Sequence, residues 1–383
     1  MPGPGDVLEL IRAGRAGTRG EVLDVTGLSR MTVAARVDAL LQAGFLVENG
    51  TDRVTGGRPS RRLEFNTSRA SLLAATVDTT HTTVTVTDLA GRTRAEEDIP
   101  VRVADGPDRT LEAIASSARG LLEATGTPLG RVGGLGISVP GPVDPDTGRP
   151  SQPPIMPGWD AYPIPEHLHD ALGVPVLVAN DADAAALGEQ RTTHPGSRSL
   201  CFLKVSSGIG AGIVIGGRVY RGADGGAGDI GHVKIAGRDD ATCQCGARGC
   251  LAAVASGHAV ARALTELGKP ATSGSDVGRY LSAGDADAAR LTQAAGRVMG
   301  EVVATVVSLL NPAEVVVGGV LASPPLITGV REALYPRSLP RATRHLTISQ
   351  STLDEHAEVI GLTALVVERE YSAAAVNAAL SAG

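Results

Sequence analysis

Gly228-Asp-Ile-Gly-His232, followed after ten residues by Cys243-Gln-Cys-Gly-Ala-Arg-Gly-Cys250-Leu251, is the stretch on which the reading of this chain turns. His232, Cys243, Cys245 and Cys250 stand in the spacing H-x10-C-x-C-x4-C. Three thiolates and an imidazole are the donors tetrahedral Zn2+ prefers, and a set of four closes its shell with no position left for a reacting water. The spacing therefore predicts a structural zinc, with Gly246 and Gly249 letting the backbone turn tightly around it. The competing view is three buried free thiols and a core histidine. A cluster that takes three of the chain's four cysteines weighs against it. Four cysteines in 383 residues do not make a disulfide scaffold either, and the clustering points to metal in a reducing cytoplasm. Cys201 falls in an apolar strand and is expected to be core.

On both sides of this stretch the sequence repeats a pattern. Leu72–Val77, Thr83–Thr87 and a third segment to Val101 read as a strand meander. Helical stretches follow near 108–124, then a buried strand at Gly133–Val139 and another at Val174–Val178. That last strand runs into Asn180-Asp181 and a helix through Ala184–Glu189. The start of the pattern then recurs: strand Leu200–Val205, tight turn Ser206–Gly210, strand Gly212–Gly217. A helix at 286–310 and the strand Ala313–Val317 with the turn Gly318-Gly319 come later. Strand, turn, strand and helices given twice imply a duplicated α/β unit with ligands in the cleft between the copies.

Residues 1–66 read differently. Val7, Leu8 and Ile11 mark a first short helix. Thr18-Arg-Gly-Glu21 is a capping box opening a second, and Gly27-Leu28-Ser29 is a turn. Ser29 caps a third helix whose apolar face is Val33, Val37, Leu40 and Leu41, which leaves Arg30, Met31, Thr32, Ala35 and Arg36 facing outward. In a helix-turn-helix that end enters the major groove. Phe45–Val47 begins an extended segment, and Gly56–Arg62 places Arg58, Arg61 and Arg62 where a wing would meet phosphates. The order of capped helix, glycine turn, exposed helix start and basic wing favours a DNA reader over a helical cap with solvated arginines. The expected partner is double-stranded operator DNA.

Charge supports confining that contact to the front. Residues 1–66 hold nine Arg against eight Asp and Glu, a net of +1, in a chain whose total is −6. Aromatic residues are 2%, too few for stacking platforms on single strands. The opening Met1-Pro-Gly-Pro-Gly-Asp6 lacks the regions of a signal peptide, and apolar runs such as Val302–Val307 are too short for a bilayer. No membrane role is expected, and the location is cytoplasmic.

Together the residues resemble the ROK family (repressors, open reading frames and sugar kinases). The zinc segment carries the resemblance most specifically. Val139-Pro-Gly-Pro-Val143, Pro157-Gly-Trp159, Val178-Ala-Asn-Asp181, Gly208-Ile-Gly-Ala-Gly212 and Val317-Gly-Gly319 follow in the family's order. The resemblance implies an actin- and hexokinase-like (ribonuclease H-like) ATPase fold of two lobes behind a winged helix. It suggests a winged helix-turn-helix over 1–66, a first lobe over 67–190 completed by a C-terminal helix 361–383, and a second lobe over 191–360 with the zinc motif and a dimerisation surface. It implies a sugar-binding cleft built with Asn180, Asp181, Asp229 and His232. In the kinases of the family the aspartate matching Asp181 is the base on a sugar hydroxyl, a role a carboxylate at a helix head can serve. The alternative is that Asn180 and Asp181 cap the helix, and both can hold at once.

Departures from the family pattern matter as much. Family kinases carry Asp-x-Gly-Gly-Thr where this chain has Asp78-Thr-Thr-His-Thr82, so side chains crowd the place of phosphate approach. Gly208 and Gly210 of the second turn remain. The family's Glu is Asp229 here, a second Glu is Ala252 and an Asn is Ile155. The expectation is a homodimeric or homotetrameric repressor that senses a sugar or related effector, with Asp181 a vestigial base. An active sugar kinase and a ligand-independent regulator are the alternatives.

Overall fold

The computed structural model describes residues 2–51 and 61–382; Arg58 lies outside them. The front module is α1 (Pro4–Arg12), α2 (Arg19–Thr26), α3 (Arg30–Gln42), β1 (Leu46–Thr51) and β2 (Arg61–Phe65). Three helices are thus closed by an antiparallel two-stranded ribbon, the arrangement of a winged helix. Thr18 accepts from the Glu21 backbone N–H at 3.2 Å, while the Glu21 carboxylate takes the N–H of Gly17, one residue before the expected partner. Gly27 ends α2 with φ +67°, a conformation that favours glycine. Ser29 caps α3 through the Thr32 N–H at 3.1 Å. Val33, Val37 and Leu40 are buried against Val7, Leu8 and Val22.

The first lobe comprises β3 (Ser71–Val77), β4 (Thr82–Asp88), β5 (Thr93–Ile99), α4 (Pro107–Ala124), β6 (Val132–Val139), α5 (Ile164–Leu172), β7 (Val176–Asn180) and α6 (Asp181–Thr192). The second comprises β8 (Ser199–Val205), β9 (Ile209–Ile215), β10 (Arg218–Val219), α7 (Leu251–Ala255), α8 (Gly257–Glu266), α9 (Gly274–Ser282), α10 (Ala286–Leu310), β11 (Glu314–Gly318), α11 (Pro324–Arg337), α12 (Pro340–Thr343) and β12 (Thr347–Gln350). The sheets run β5-β4-β3-β6-β7 and β10-β9-β8-β11-β12. Each has an antiparallel hairpin partner on one side of its first strand and two parallel strands on the other. The duplication expected from sequence is therefore present strand for strand.

Both faces of the sheets are covered, so strand interiors are apolar or internally satisfied. Every residue of Thr-rich β4 is buried. Thr82 donates to the Val101 carbonyl at 2.8 Å, Thr83 to Asp98 at 2.6 Å and Thr85 to Glu96 at 3.1 Å. Alone among the described helices, α10 is long and apolar enough to cross a membrane by length and composition; here it packs in the second lobe's core through Ala295, Met299, Val303 and Val307.

The chain end is two helices, α13 (His356–Glu370) and α14 (Ala373–Ala382), where the sequence suggested one. α13 lies on β3, β6 and α6 of the first lobe, but α14 packs on α1 of the front module. Asn377 accepts from the Gly5 N–H at 2.7 Å, and a Cβ on Gly5 would sit 2.2 Å from the Ala373 carbonyl oxygen. Tyr371 stands edge-on to Phe45 and Phe65, with ring centroids 6.3 and 5.9 Å away. Val366, Val367, Tyr371 and Val376 share one core with the front module.

Candidate functional site

Three groups of residues carry chemistry, and each is built differently. At the start of α3, Ser29, Arg30, Met31 and Ala35 are exposed, Met31 to 85%, while Thr32 and Arg36 are half-buried. The Ser29 hydroxyl bonds the Thr32 hydroxyl at 2.8 Å. One guanidinium nitrogen of Arg36 is buried with no hydrogen-bond partner among the described residues. Arg61 pairs with Glu48 at 2.7 Å, and Glu48 is shared with Arg19 at 3.1 Å. Arg62 lines a groove between the front module and the first lobe, together with Arg12, Leu89 and Val367.

The metal-type cluster forms in the loop between β10 and α7. The donor atoms of His232, Cys243, Cys245 and Cys250 all lie within 4.8 Å of one another. Cys245 and Cys250 sulfurs are 3.8 Å apart, as are the Cys243 sulfur and His232 Nδ1. Tetrahedral ligands about 2.3 Å from a shared centre are roughly 3.8 Å from each other, so the donor set fits Zn2+. Gly246 and Gly249 have φ +83° and +73°, the tight turns expected at those positions. A bound zinc would cross-link 232 to 250 and fix a wall of the adjoining cleft. Cys201 is fully buried, and burial pushes its thiol up to about 12, an inert core side chain.

The cleft lies where the two lobes face each other. A cavity of about 130 Å3 is lined by Asp78, Asn180, Asp181, Asp229, His232, Gly208 and Gly210, bringing together the cleft residues expected from sequence. Ile155 and Ala252, the positions that lack the family's polar groups, line it too. α6 begins at Asp181, earlier than its sequence pattern suggested. Asn180 accepts from the N–H groups of Ala182 at 2.9 Å and Asp183 at 3.2 Å and donates to the Gly141 carbonyl at 3.0 Å. The capping role is thus filled. A Cβ at Gly208 would meet nothing, so this glycine keeps space open rather than serving its own backbone.

The turn Asp78–His81 is a side-chain-filled hairpin. Asp78 accepts from the backbone N–H and, at 2.9 Å, the hydroxyl of Thr79. The Thr79 hydroxyl also bonds that of Ser207 at 2.9 Å. The two turns are therefore tied to each other across the cleft.

Sequence reasoning missed Lys204. On β8 it sits among Cys201, Phe202, Leu203 and Val205, and its ammonium reaches Asp181 at 2.8 Å, Asp78 at 4.0 Å and Glu358. Burial pulls Lys204 down, but Asp181, Glu358 and Asp78 outweigh it and hold the ammonium well above the usual lysine range. Burial also dominates at Glu358, raising it to about 7 despite Lys204. Burial opposes ionisation of Asp78 as well, yet Lys204 and Thr79 hold that carboxyl below its ordinary value. One oxygen of Asp181 bonds the Ala182 N–H at 2.8 Å and the other faces Lys204, so neither is free to act as a base. A lysine inside an apolar strand was the available signal. Next to Asn180, Asp183 is buried with one carboxylate oxygen unpartnered among the described residues. Burial raises it to about 7 against the pull of Arg221.

The profile of the ROK family matches residues 74–369. The chain is 29% identical to a putative xylose repressor of Caldicellulosiruptor sp. (strain Rt8B.4), over 94% of both chains. It is 30% identical to a glucokinase of Halalkalibacterium halodurans, covering 72% of this chain and 84% of that one. Among solved structures, a ROK family transcriptional regulator homologous to the Escherichia coli MLC protein superposes with a TM-score of 0.82 at 25% identity. It covers 99% of this chain and 98% of its own.

Proposed function

The chain belongs to the ROK family, and from that membership we propose that it is a sequence-specific DNA-binding transcriptional repressor whose cleft senses a sugar or related small molecule. The observation that carries the reading is the exposed start of α3, with Arg30, Met31 and Ala35 open to solvent and Arg36 half-buried beside them. Two such helices in a homodimer or homotetramer would read half-sites spaced about 10 bp apart or multiples of it. Arg61, and Arg58 beyond the described residues, would add phosphate contacts. Leu309 and Leu339, exposed to 78% and 76% on the second lobe, support a self-association surface there. Zinc is structural, and the protein works in the cytoplasm.

Footprinting on the gene's own promoter tests the reading. Protection that disappears in Arg30→Ala plus Arg36→Ala, with the fold intact by circular dichroism, is the expected result; protection unchanged by the pair refutes it. Calorimetry against a panel of free and phosphorylated sugars tests sensing: heat with at least one supports it, and none refutes it.

Sugar kinase activity is the second reading, favoured by the meeting of Asp181, Gly208 and Gly210 at one cavity. The Thr79–Ser207 bond and the engagement of Asp181 by Lys204 count against it. Sugar-dependent ADP formation that vanishes in Asp181→Asn would establish it.

A further inference from the structure

Lys204 comes from the second lobe, but every carboxyl group it meets belongs to a different piece of the first. Asp78 opens the turn after β3, Asp181 heads α6, and Glu358 lies in the first turn of α13. The second oxygen of Glu358 accepts from Ser138 of β6 at 2.9 Å. Asp181 and Lys204 line the ligand cavity, whereas Glu358 lines its neighbour on the far side, with Gly319, Val320 and Glu355. The ammonium therefore stands between a group that faces the cleft and a group that faces the helix.

That helix spans the distance to the front module. α13 is about 22 Å long at 1.5 Å per residue. It is clamped to α6 by backbone contact: a Cβ on Gly361 would lie 1.8 Å from the Ala184 carbonyl oxygen, and one on Gly188 1.9 Å from that of Ala357. So tight a crossing ties α13 to α6, so a displacement of either is carried by the other. At its other end Val366, Val367 and Tyr371 are built into the core of the front module, and the Tyr371 carbonyl accepts from Arg12 at 2.8 Å. α14 then packs on α1.

We propose that Lys204 and Glu358 are positioning residues that couple ligand engagement of Asp181 to the placement of the front module through α13. The inference rests on the sensing reading above and names how the same site is read out. A hydroxyl that bonds Asp181 competes with Lys204 for the carboxylate oxygen the ammonium holds. The ammonium then leans on Glu358, whose helix carries the change. Coupling requires only that the ligand bind the two arrangements with different affinity, and the effect is reciprocal. A physically defined two-position element joining the sites is what such a claim needs.

Operator affinity measured with and without saturating D-xylose and D-glucose tests it. The wild type is expected to lose roughly five-fold or more of its operator affinity with the sugar that binds, the lower end of ordinary couplings. Glu358→Gln keeps the shape and the Ser138 contact and does not line the ligand cavity. It should bind sugar and operator, yet respond less than two-fold. Lys204→Met should respond no more than that, and Lys204→Arg should restore part of the response. Equal responses in the wild type and Glu358→Gln overturn the inference and leave sensing intact. A wild type that binds operator but neither sugar, or whose operator affinity neither sugar moves, fails the sensing reading for these sugars and the inference with it. Ligand-free hydrogen exchange guards against variants that merely unfold. Amides of α1 and α14 should exchange faster in Glu358→Gln than in Cys201→Ala, a destabilising change on β8 outside the cluster; identical profiles also overturn the proposal.

Discussion

The start of α3 and the floor of the cleft are both rich in polar side chains, but they spend them in opposite ways. On α3, Arg30, Met31 and Ala35 face solvent, and Arg36 has no hydrogen-bond partner for one buried nitrogen among the described residues. In the cleft, Asp78 and Asp181 are engaged by Lys204, which also pairs with Glu358 behind them, and Thr79 is bonded to Ser207 across the gap. Side chains left open to solvent can meet an outside partner, whereas a network satisfied from within resists one. The first arrangement suits recognition of a large anionic partner; the second is a site whose internal pairs a ligand has to displace.

The largest effect is expected from the cleft wall. Cys250→Ser removes one of four ligands, and binding of structural zinc is folding free energy. We expect loss of stoichiometric zinc by metal analysis and a drop in Tm on the order of 10 °C. Zinc-free purified wild type of unchanged Tm would break the cleft half of the comparison.

On the α3 side, Arg30→Ala plus Arg36→Ala should weaken operator binding by about two orders of magnitude, since each arginine contact to a base edge is worth about 1–3 kcal/mol. The Tm should stay within about 2 °C of wild type, surface changes being small in stability. Gel-shift titration beside a melting curve checks both. The joint between the regions comes next. Gly5→Val drives a side chain into the Ala373 carbonyl, 2.2 Å from the place of its Cβ, and should cost about 1–3 kcal/mol. Faster amide exchange confined to α1 and α14 is the signature to look for.

Asp183→Asn gives the smallest effect and sharpens the electrostatic side. Burial raises the folded-state pKa of Asp183 to about 7 from an ordinary 3.8. The folded protein thus holds this proton more tightly than the unfolded chain. Its contribution to stability is full below the unfolded value and is lost as pH rises through about 7. Asparagine does not titrate but brings a buried amide needing partners, so the net gain at pH 8 is about 1 kcal/mol. The Tm difference, variant minus wild type, should grow from pH 5 to pH 8; a constant difference contradicts the assignment.

Local pattern made much of this legible in the sequence. Ser29, Val33, Val37 and Leu40 are one capped helix, and the four metal-type donors lie within nineteen residues of one another. The duplicated sheets follow from a strand pattern given twice. What was hidden depends on long separations. Lys204 meets Glu358 from 154 residues away, and Gly5 meets Asn377 from 372. No periodicity reports such pairings. Arg61 and Arg62 are an intermediate case: the sequence placed both on the wing, but Arg62 lines the groove beside the first lobe, a long-range contact no local pattern reports.

One preparation assayed for both activities tests the central contrast. With promoter DNA and with ATP plus each sugar of the panel, the account predicts nanomolar or tighter footprint protection at paired half-sites and no sugar-dependent ADP. Turnover abolished by Asp181→Asn, with no protected DNA, would contradict it.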